Sequence, residues 1–428
     1  MPASPSLLIV PARFKTGKLY TQIATTSAGV VLGSSGDFNV TRATTATRFN
    51  SAGLIESVAS GVPRLDYYTS GGTAGCPALL VEPSAQNVLL QSETFNTSWT
   101  LVGLNAFGSG SVANSTGTTD PFGGTNSDYI QENASSGTHI ILQTPAGQVS
   151  GTTYTFSCFV KSAERTQVNF LNNAGGGANA TFNLSAGTAT LGIGVSALIQ
   201  NYGNGWYRCI LTYTPTATVN FNVQIRLADA SGNTSYTGTG ASGLYVFGAQ
   251  LEVGSVATSY IPTTTGSITR NADVINLSGA VSGCIGQTEG TIYAEFEYKT
   301  NAAERRLIAL SDNTTTNRVF VWTLNNIFYV QVQGTNVIVA NPITEGYHKL
   351  AFAYQQNGVS GTLFASLDGG VVVSGTTAGT FPSSLTAINI GKTEATATST
   401  FFWNANIRAA ALYTTRLTNA ELQSLTTL

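Results

Sequence analysis

Alternation with a period of two is what most constrains this chain. Ile292, Ala294, Phe296 and Tyr298 interleave with Tyr293, Glu295 and Glu297, and Val223, Ile225 and Leu227 interleave with Gln224 and Arg226. Such spacing sends successive side chains to opposite faces of a strand, one buried and one wet. The runs TYTFSCFV (153–160), RVFVWTL (318–324), IFYVQVQ (327–333) and KLAFAY (349–354) read the same way. Glycine, of which there are 46, and Thr/Ser runs separate them at short intervals. Long helical periodicity is almost absent. Short strands punctuated by turn signals predict an all-β chain made of sandwiches or barrels. One short helix is expected at the end, in LTNAELQSLTT (417–427). There Thr418 and Glu421 form a capping box, Leu417 and Leu422 occupy the staple positions, and Leu422 and Leu425 dock the helix.

Hydrophobic residues make up 42% of the 428, enough for real cores. Charged residues make up only 9%, against about 25% in an ordinary soluble domain. With 19 basic and 21 acidic residues and no basic block, the chain lacks the clustered Lys and Arg that phosphate binding needs, so nucleic acid is not an expected partner. No apolar run approaches the roughly 18 residues of a membrane span, so membrane insertion is not expected. LLIV near the start is too short for a secretion signal. The four cysteines show no CxxC spacing, which argues against zinc and for buried thiols. Cys158 and Cys209 lie in strand-like runs and pair only if those strands adjoin.

The chain divides by composition at about 85, 262 and 286. Residues 1–85 hold the densest charges of a charge-poor chain: Arg42, Arg48, Glu56, Arg64 and Asp66. These read either as paired ions fixing local geometry or a subunit contact, or as a solvated face. Residues 86–262 close with GAQLEVGSVATSYIP (248–262). Tyr245, Phe247, Ala249, Leu251 and Val253 are expected to face the core of its last strand, with Glu252 pointing away and bonded to local backbone. Residues 263–285 read as a linker, and residues 286–428 as a further sandwich.

Catalytic arrangements are hard to assemble. The only histidines are His139, with no acid close in sequence, and His348, at the edge of an apolar strand where a structural role is expected, and no GxSxG elbow occurs. Glu295 and Glu297 share a strand face at roughly 6.6 Å between Cα atoms, a spacing that glycoside cleavage tolerates. Their alternative is a solvent-facing pair opposite Phe296 and Tyr298, and that is the expectation here. Asp312 and Asn313 offer calcium too few ligands. No enzyme activity, no cofactor and no metal are expected. Sugar stacking needs flat aromatic faces, which makes Trp99, Trp322 and Trp403 the glycan-binding candidates, with core packing as the alternative for each.

Several stretches resemble a known family. Arg42-Ala-Thr-Thr-Ala-Thr-Arg48, Asn50-Ser-Ala-Gly-Leu-Ile-Glu56, Pro63-Arg-Leu-Asp-Tyr67 and Leu80-Val-Glu-Pro83 look like the N-terminal module of tailed-bacteriophage virion proteins of the tail-fibre, spike, head-fibre or decoration type. Family members often carry Arg-Thr-Asn where this chain has Ala85-Gln86-Asn87. Residues 86–262 resemble a carbohydrate-binding-module jelly roll, through Asn87-Val-Leu-Leu-Gln-Ser92, NGWYRCILTYT (204–214) and Gln250-Leu-Glu. Residues 286–428 are similar to concanavalin/laminin-G-like sandwiches, through GTIYAEFEYK, GYHKLAFAY, SLDGG, INIGK and RLTNAELQSL. The resemblance implies an N-terminal attachment or assembly module followed by two sandwiches on the virion surface, in a protein made in the host cytoplasm and released by lysis. It implies other virion proteins of capsid or tail as partners, sister chains in a homotrimer, and host-surface glycans as ligands. A purely architectural decoration protein is the alternative, and a depolymerase a third.

Overall fold

The computed structural model describes all residues except 1–3, 12, 26–28, 33–36, 174–176, 193, 219, 279–281, 301–302, 333, 378 and 393–400. The architecture is all-β, and the helix is short and terminal. Among the described residues it consists of two sandwiches, one nested in the other.

The outer sandwich, here called the frame, draws on both ends of the chain. Its first sheet centres on Glu289–Tyr298 paired with Gly346–Asn357 on one side and Ala405–Tyr413 on the other. The far edge of Ala405–Tyr413 takes two N-terminal strands in sequence, Leu7–Ile9 and Ala74–Val81. Its second sheet places Phe38–Thr41 against Val274–Ser278, which pairs in turn with Ala387–Ile390. One core joins them, where Leu7, Phe38 and Leu79 pack with Ile292, Phe296 and Ile388. Residues 1–85 are therefore not a free-standing module: Leu7–Ile9, Phe38–Thr41 and Ala74–Val81 lie in sheets that C-terminal strands complete. The segment 263–285 is not a linker either. Ile268–Arg270 pairs with Ala85–Asn87, and Val274–Ser278 is a central strand of the second sheet.

The inner sandwich, the insert, lies between those two crossings. A six-stranded sheet runs from Thr100–Val102 to Thr188–Leu191, and a five-stranded one from Asp128–Gln131 to Val195–Asn201. Its core gathers Phe156, Phe170, Ile225 and Leu251. The closing strand Gly243–Val253 departs from strict alternation. Ser157 pairs with Gln250 but Phe159 with Phe247, so this strand carries one extra residue there. That is a bulge, and Gly248 supplies it at φ +63°. The inward set therefore switches from Leu244 and Val246 before the bulge to Ala249 and Leu251 after it. Phe247 belongs instead to an aromatic cluster on the sheet's outer side. Glu252 does face away from the core, yet it is buried, because residues 255–261 fold back over it. It accepts from Gln250 Nε2 (2.6 Å) and from the Thr258 backbone N–H (2.9 Å) and Oγ1 (2.7 Å).

The terminal helix Asn419–Thr426 has both halves of the capping box. Leu422 and Leu425 dock it on Ala351, Ala353 and Tyr413, on the outer face of the first frame sheet. Cys158 and Cys209 stand opposite each other on adjacent strands, and both are free thiols.

Candidate functional site

Frame and insert meet in two places, a dry neck and a wet cleft. The neck is where the chain leaves the frame and returns. Arg64 is fully buried; its Nη1 donates to Glu82 Oε2 and to Ser259 Oγ, both at 2.7 Å, and its Nη2 pairs with Asp273. Arg42 Nη1 donates to Asp273 Oδ1 at 2.8 Å, and Arg270 approaches Glu82 at 3.3 Å. Burial alone would raise the Glu82 carboxyl, but Arg64 and Arg270 outweigh it and hold the group well below the usual range. Isolated buried charges are costly, so this set stands only because each ion is answered. Arg42 and Arg64 thus fix local geometry and are not exposed for a subunit contact. Asp66, also buried, accepts from the Phe49 backbone N–H at 2.7 Å. Only Arg48 and Glu56, paired at 2.6 Å, sit near solvent. Sequence reasoning missed Glu82, Arg270 and Asp273. A signal for two of them existed: Arg270 and Asp273 are the only charged residues between Glu252 and Glu289.

Around the neck the contact is aromatic and tight. The hairpin of Ala46–Phe49 and Ile55–Val58 sets Ile55 against Phe159, Trp206, Phe247 and Tyr260. Gly72 of the frame and Gly203 of the insert touch backbone to backbone: a Cβ on Gly72 would lie 2.4 Å from Gly203 N.

The cleft opens beside this contact, with a volume of about 610 Å³, within the range of small-molecule sites. One wall is the insert's edge strand Val195–Asn201 and the other is the frame's outer face at Glu297, Lys299 and Tyr347. Tyr68 stands at the base, with its ring 4.9 Å from that of Tyr202. A recess of about 50 Å³ shares Tyr68, Gln200, Glu297 and Lys299 and reaches Asp66. Asn406 Nδ2 bridges the two acids, 3.1 Å from Glu297 Oε2 and 3.3 Å from Asp66 Oδ2. Burial pushes the Asp66 carboxyl upward, against the Phe49 N–H and the charge of Lys299. Burial would lower Lys299, but Glu297 above all holds it protonated. Tyr347, half-buried with Arg408 stacked 3.3 Å over its ring, is pushed up to about 12 by burial and then by Glu297. The Gln200 amide, the Lys299 ammonium and the hydroxyls of Tyr68 and Tyr347 spend no hydrogen bond on other described residues.

The tryptophan candidates fare differently. Trp99 is buried against Phe95 and donates Nε1–H to the Gln91 carbonyl at 3.2 Å. Trp403 is buried edge-on to Phe296 in the frame core. Trp322 is half-exposed on the outer face of the second frame sheet, but both ring faces are taken, one by Tyr329 at 4.6 Å and the other side by Arg306 at 5.3 Å. None of the three offers a free face to a sugar. The other chemical candidates are also engaged. His139 Nδ1 is 2.5 Å from the Gly103 carbonyl, and His348 Nδ1 is 2.6 Å from Asp368. Glu295 faces Arg408 at 3.3 Å. The described residues hold no group of three potential metal ligands.

No protein-family model and no curated protein matches the chain. Solved structures similar to it include the CBM40 of the Ruminococcus gnavus IT-sialidase bound to alpha2,3-sialyllactose, at 15% identity and TM-score 0.28, covering 33% of this chain and 84% of that one. Mouse laminin alpha1 chain domains LG4-5 match at 14% identity and TM-score 0.25, covering 67% and 88%. The bifunctional GH43-CE of Bacteroides eggerthii matches at 11% identity and TM-score 0.22, covering 67% and 58%. Scores this low bear on neither ligand nor activity.

Proposed function

We propose that the protein is a surface component of a tailed-bacteriophage particle, a fibre, spike or decoration protein, which binds host-surface glycans without catalysis. The virion assignment rests on the resemblance of residues 42–83, and with it the homotrimer and the capsid or tail partners. The glycan assignment rests on the cleft, the one observation that carries it: half-exposed tyrosines and unspent polar groups converge on a void of ligand size. Saccharides present C–H faces and many hydroxyls, and such a lining answers both. Weak single sites are compatible with adsorption when many copies act together.

The test is adsorption of the purified chain to host cells, alone and in competition with their released envelope polysaccharide. Binding that is competed, and that Tyr68→Ala or Tyr347→Ala abolishes with melting unchanged, is the expected result. Unaltered binding of both variants ends the cleft assignment. No binding, together with particles that lose heat stability when the protein is deleted, makes it an architectural decoration protein. Release of reducing ends makes it a depolymerase. Antibody labelling of intact particles places it on head or tail, and sedimentation gives its oligomeric state.

A further inference from the structure

The charge inventory of the cleft narrows its ligand, and this step rests on the cleft being a saccharide site. The acids bordering it are Asp66, Glu297 and Glu345. Against them stands Lys299, with Glu297 as its main electrostatic partner. The nearby arginines are engaged elsewhere. Arg208 donates to the Thr258 carbonyl at 2.7 Å and to Ser157 Oγ at 3.0 Å, Arg48 is held by Glu56, and Arg408, stacked on Tyr347, pairs with Glu295 at 3.3 Å. A carboxylated or sulfated sugar would enter a site whose acids outnumber its free cations, and like charges at short range repel. An uncharged sugar meets no such barrier.

We infer that the cleft binds a neutral saccharide through a vicinal diol held between Glu297 and Lys299. Glu297 lies near the end of the strand Glu289–Tyr298 and Lys299 just past it, two residues on, and both border the cleft. Glu297 Oε2 is occupied by Asn406, while Oε1 accepts no hydrogen bond from a described residue. Oε1 therefore accepts a hydrogen bond from one hydroxyl, and Lys299 Nζ donates one to the oxygen of its neighbour. Each hydroxyl both donates and accepts, so adjacent hydroxyls suit an adjacent acceptor and donor. Tyr347, the cross-strand partner of Glu297, has one ring face covered by Arg408 and supplies the apolar contact with the other.

Calorimetric titration of the full chain separates the outcomes. The probes are neutral oligomers of dextran, mannan and galactan, and anionic oligomers of polygalacturonate and dextran sulfate. The wild type is expected to bind a neutral probe, with affinity changing less than about twofold between low and high salt. Glu297→Gln and Lys299→Met are each expected to weaken it by about tenfold or more, since hydrogen bonds to charged groups are the strong ones. Glu297→Lys is expected to move preference toward polygalacturonate, a change that a merely structural role for Glu297 does not produce. Melting curves screen out variants that fail to fold. Wild-type preference for an anionic probe, abolished by Tyr347→Ala, overturns the inference and leaves the cleft as a saccharide site. Failure of every probe to bind wild type overturns both.

Discussion

The two sandwiches use the same alternating strands but close in opposite ways. The insert is continuous in sequence, and its sheets are complete between residues 100 and 253. The frame is discontinuous: Leu7–Ile9 and Ala74–Val81 find their partner strand more than 300 residues away, at Ala405–Tyr413. A discontinuous domain must hold together the two chain passages that lead into its insertion. The buried ions do this here, since Arg42, Arg64 and Glu82 come from the outgoing passage and Arg270 and Asp273 from the return. Charge is scarce in this chain and is concentrated where long-range closure needs direction as well as burial.

Cutting the chain is the harshest way to break this comparison. Residues 86–262 alone are expected to fold with a cooperative melt, with Phe159, Trp206 and Phe247 newly exposed, whereas residues 1–85 alone should show no cooperative transition by circular dichroism. Asp273→Ala comes next. It strands two buried arginines and should cost about 3–5 kcal/mol in denaturant unfolding, seen in the frame's transition. Gly72→Ala at the frame–insert contact should cost about 1–3 kcal/mol, because its Cβ runs into Gly203 backbone that cannot yield easily and φ there is +72°.

Within the insert, acid offers a finer comparison. Burial alone would raise Glu132, but bonds from Arg165, Thr239 and Tyr236 hold it at about 2, below its ordinary 4.5. A carboxyl with a depressed folded pKa stabilises above its unfolded value and loses that contribution as pH falls toward the folded one. Glu132→Gln should therefore flatten the insert's stability between about pH 4.5 and 2, measured by urea titrations. The smallest effect is expected at Arg48→Ala, whose half-exposed pair with Glu56 contributes about 1 kcal/mol or less. If it matches Asp273→Ala, the contrast between the neck and the surface fails.

What was legible in the sequence follows the range of the interactions. The capping box of Thr418 and Glu421 is local, and so are the strands around Phe296 and Ile225; both were readable. The bulge at Gly248 was not, because alternation alone does not say where a strand gains a residue. The pairing of Leu7–Ile9 with Ala405–Tyr413 leaves no local trace, so the frame read as a module, a linker and a sandwich. The tryptophans could not be placed from sequence because exposure depends on what covers a face: Tyr329 and Arg306 for Trp322, Phe296 for Trp403. The cleft was hidden for the same reason, its lining coming from six separate stretches around 68, 198, 211, 256, 298 and 346.

Hydrogen exchange of the full chain, with and without a saturating oligosaccharide that binds it, tests the cleft most directly. The expected result is slowed exchange over residues 66–70, 195–201, 297–300 and 345–347, on both walls at once. Protection confined to the sheet face around Trp322 and Tyr329, or no protection along 195–201 and 297–300, would contradict it.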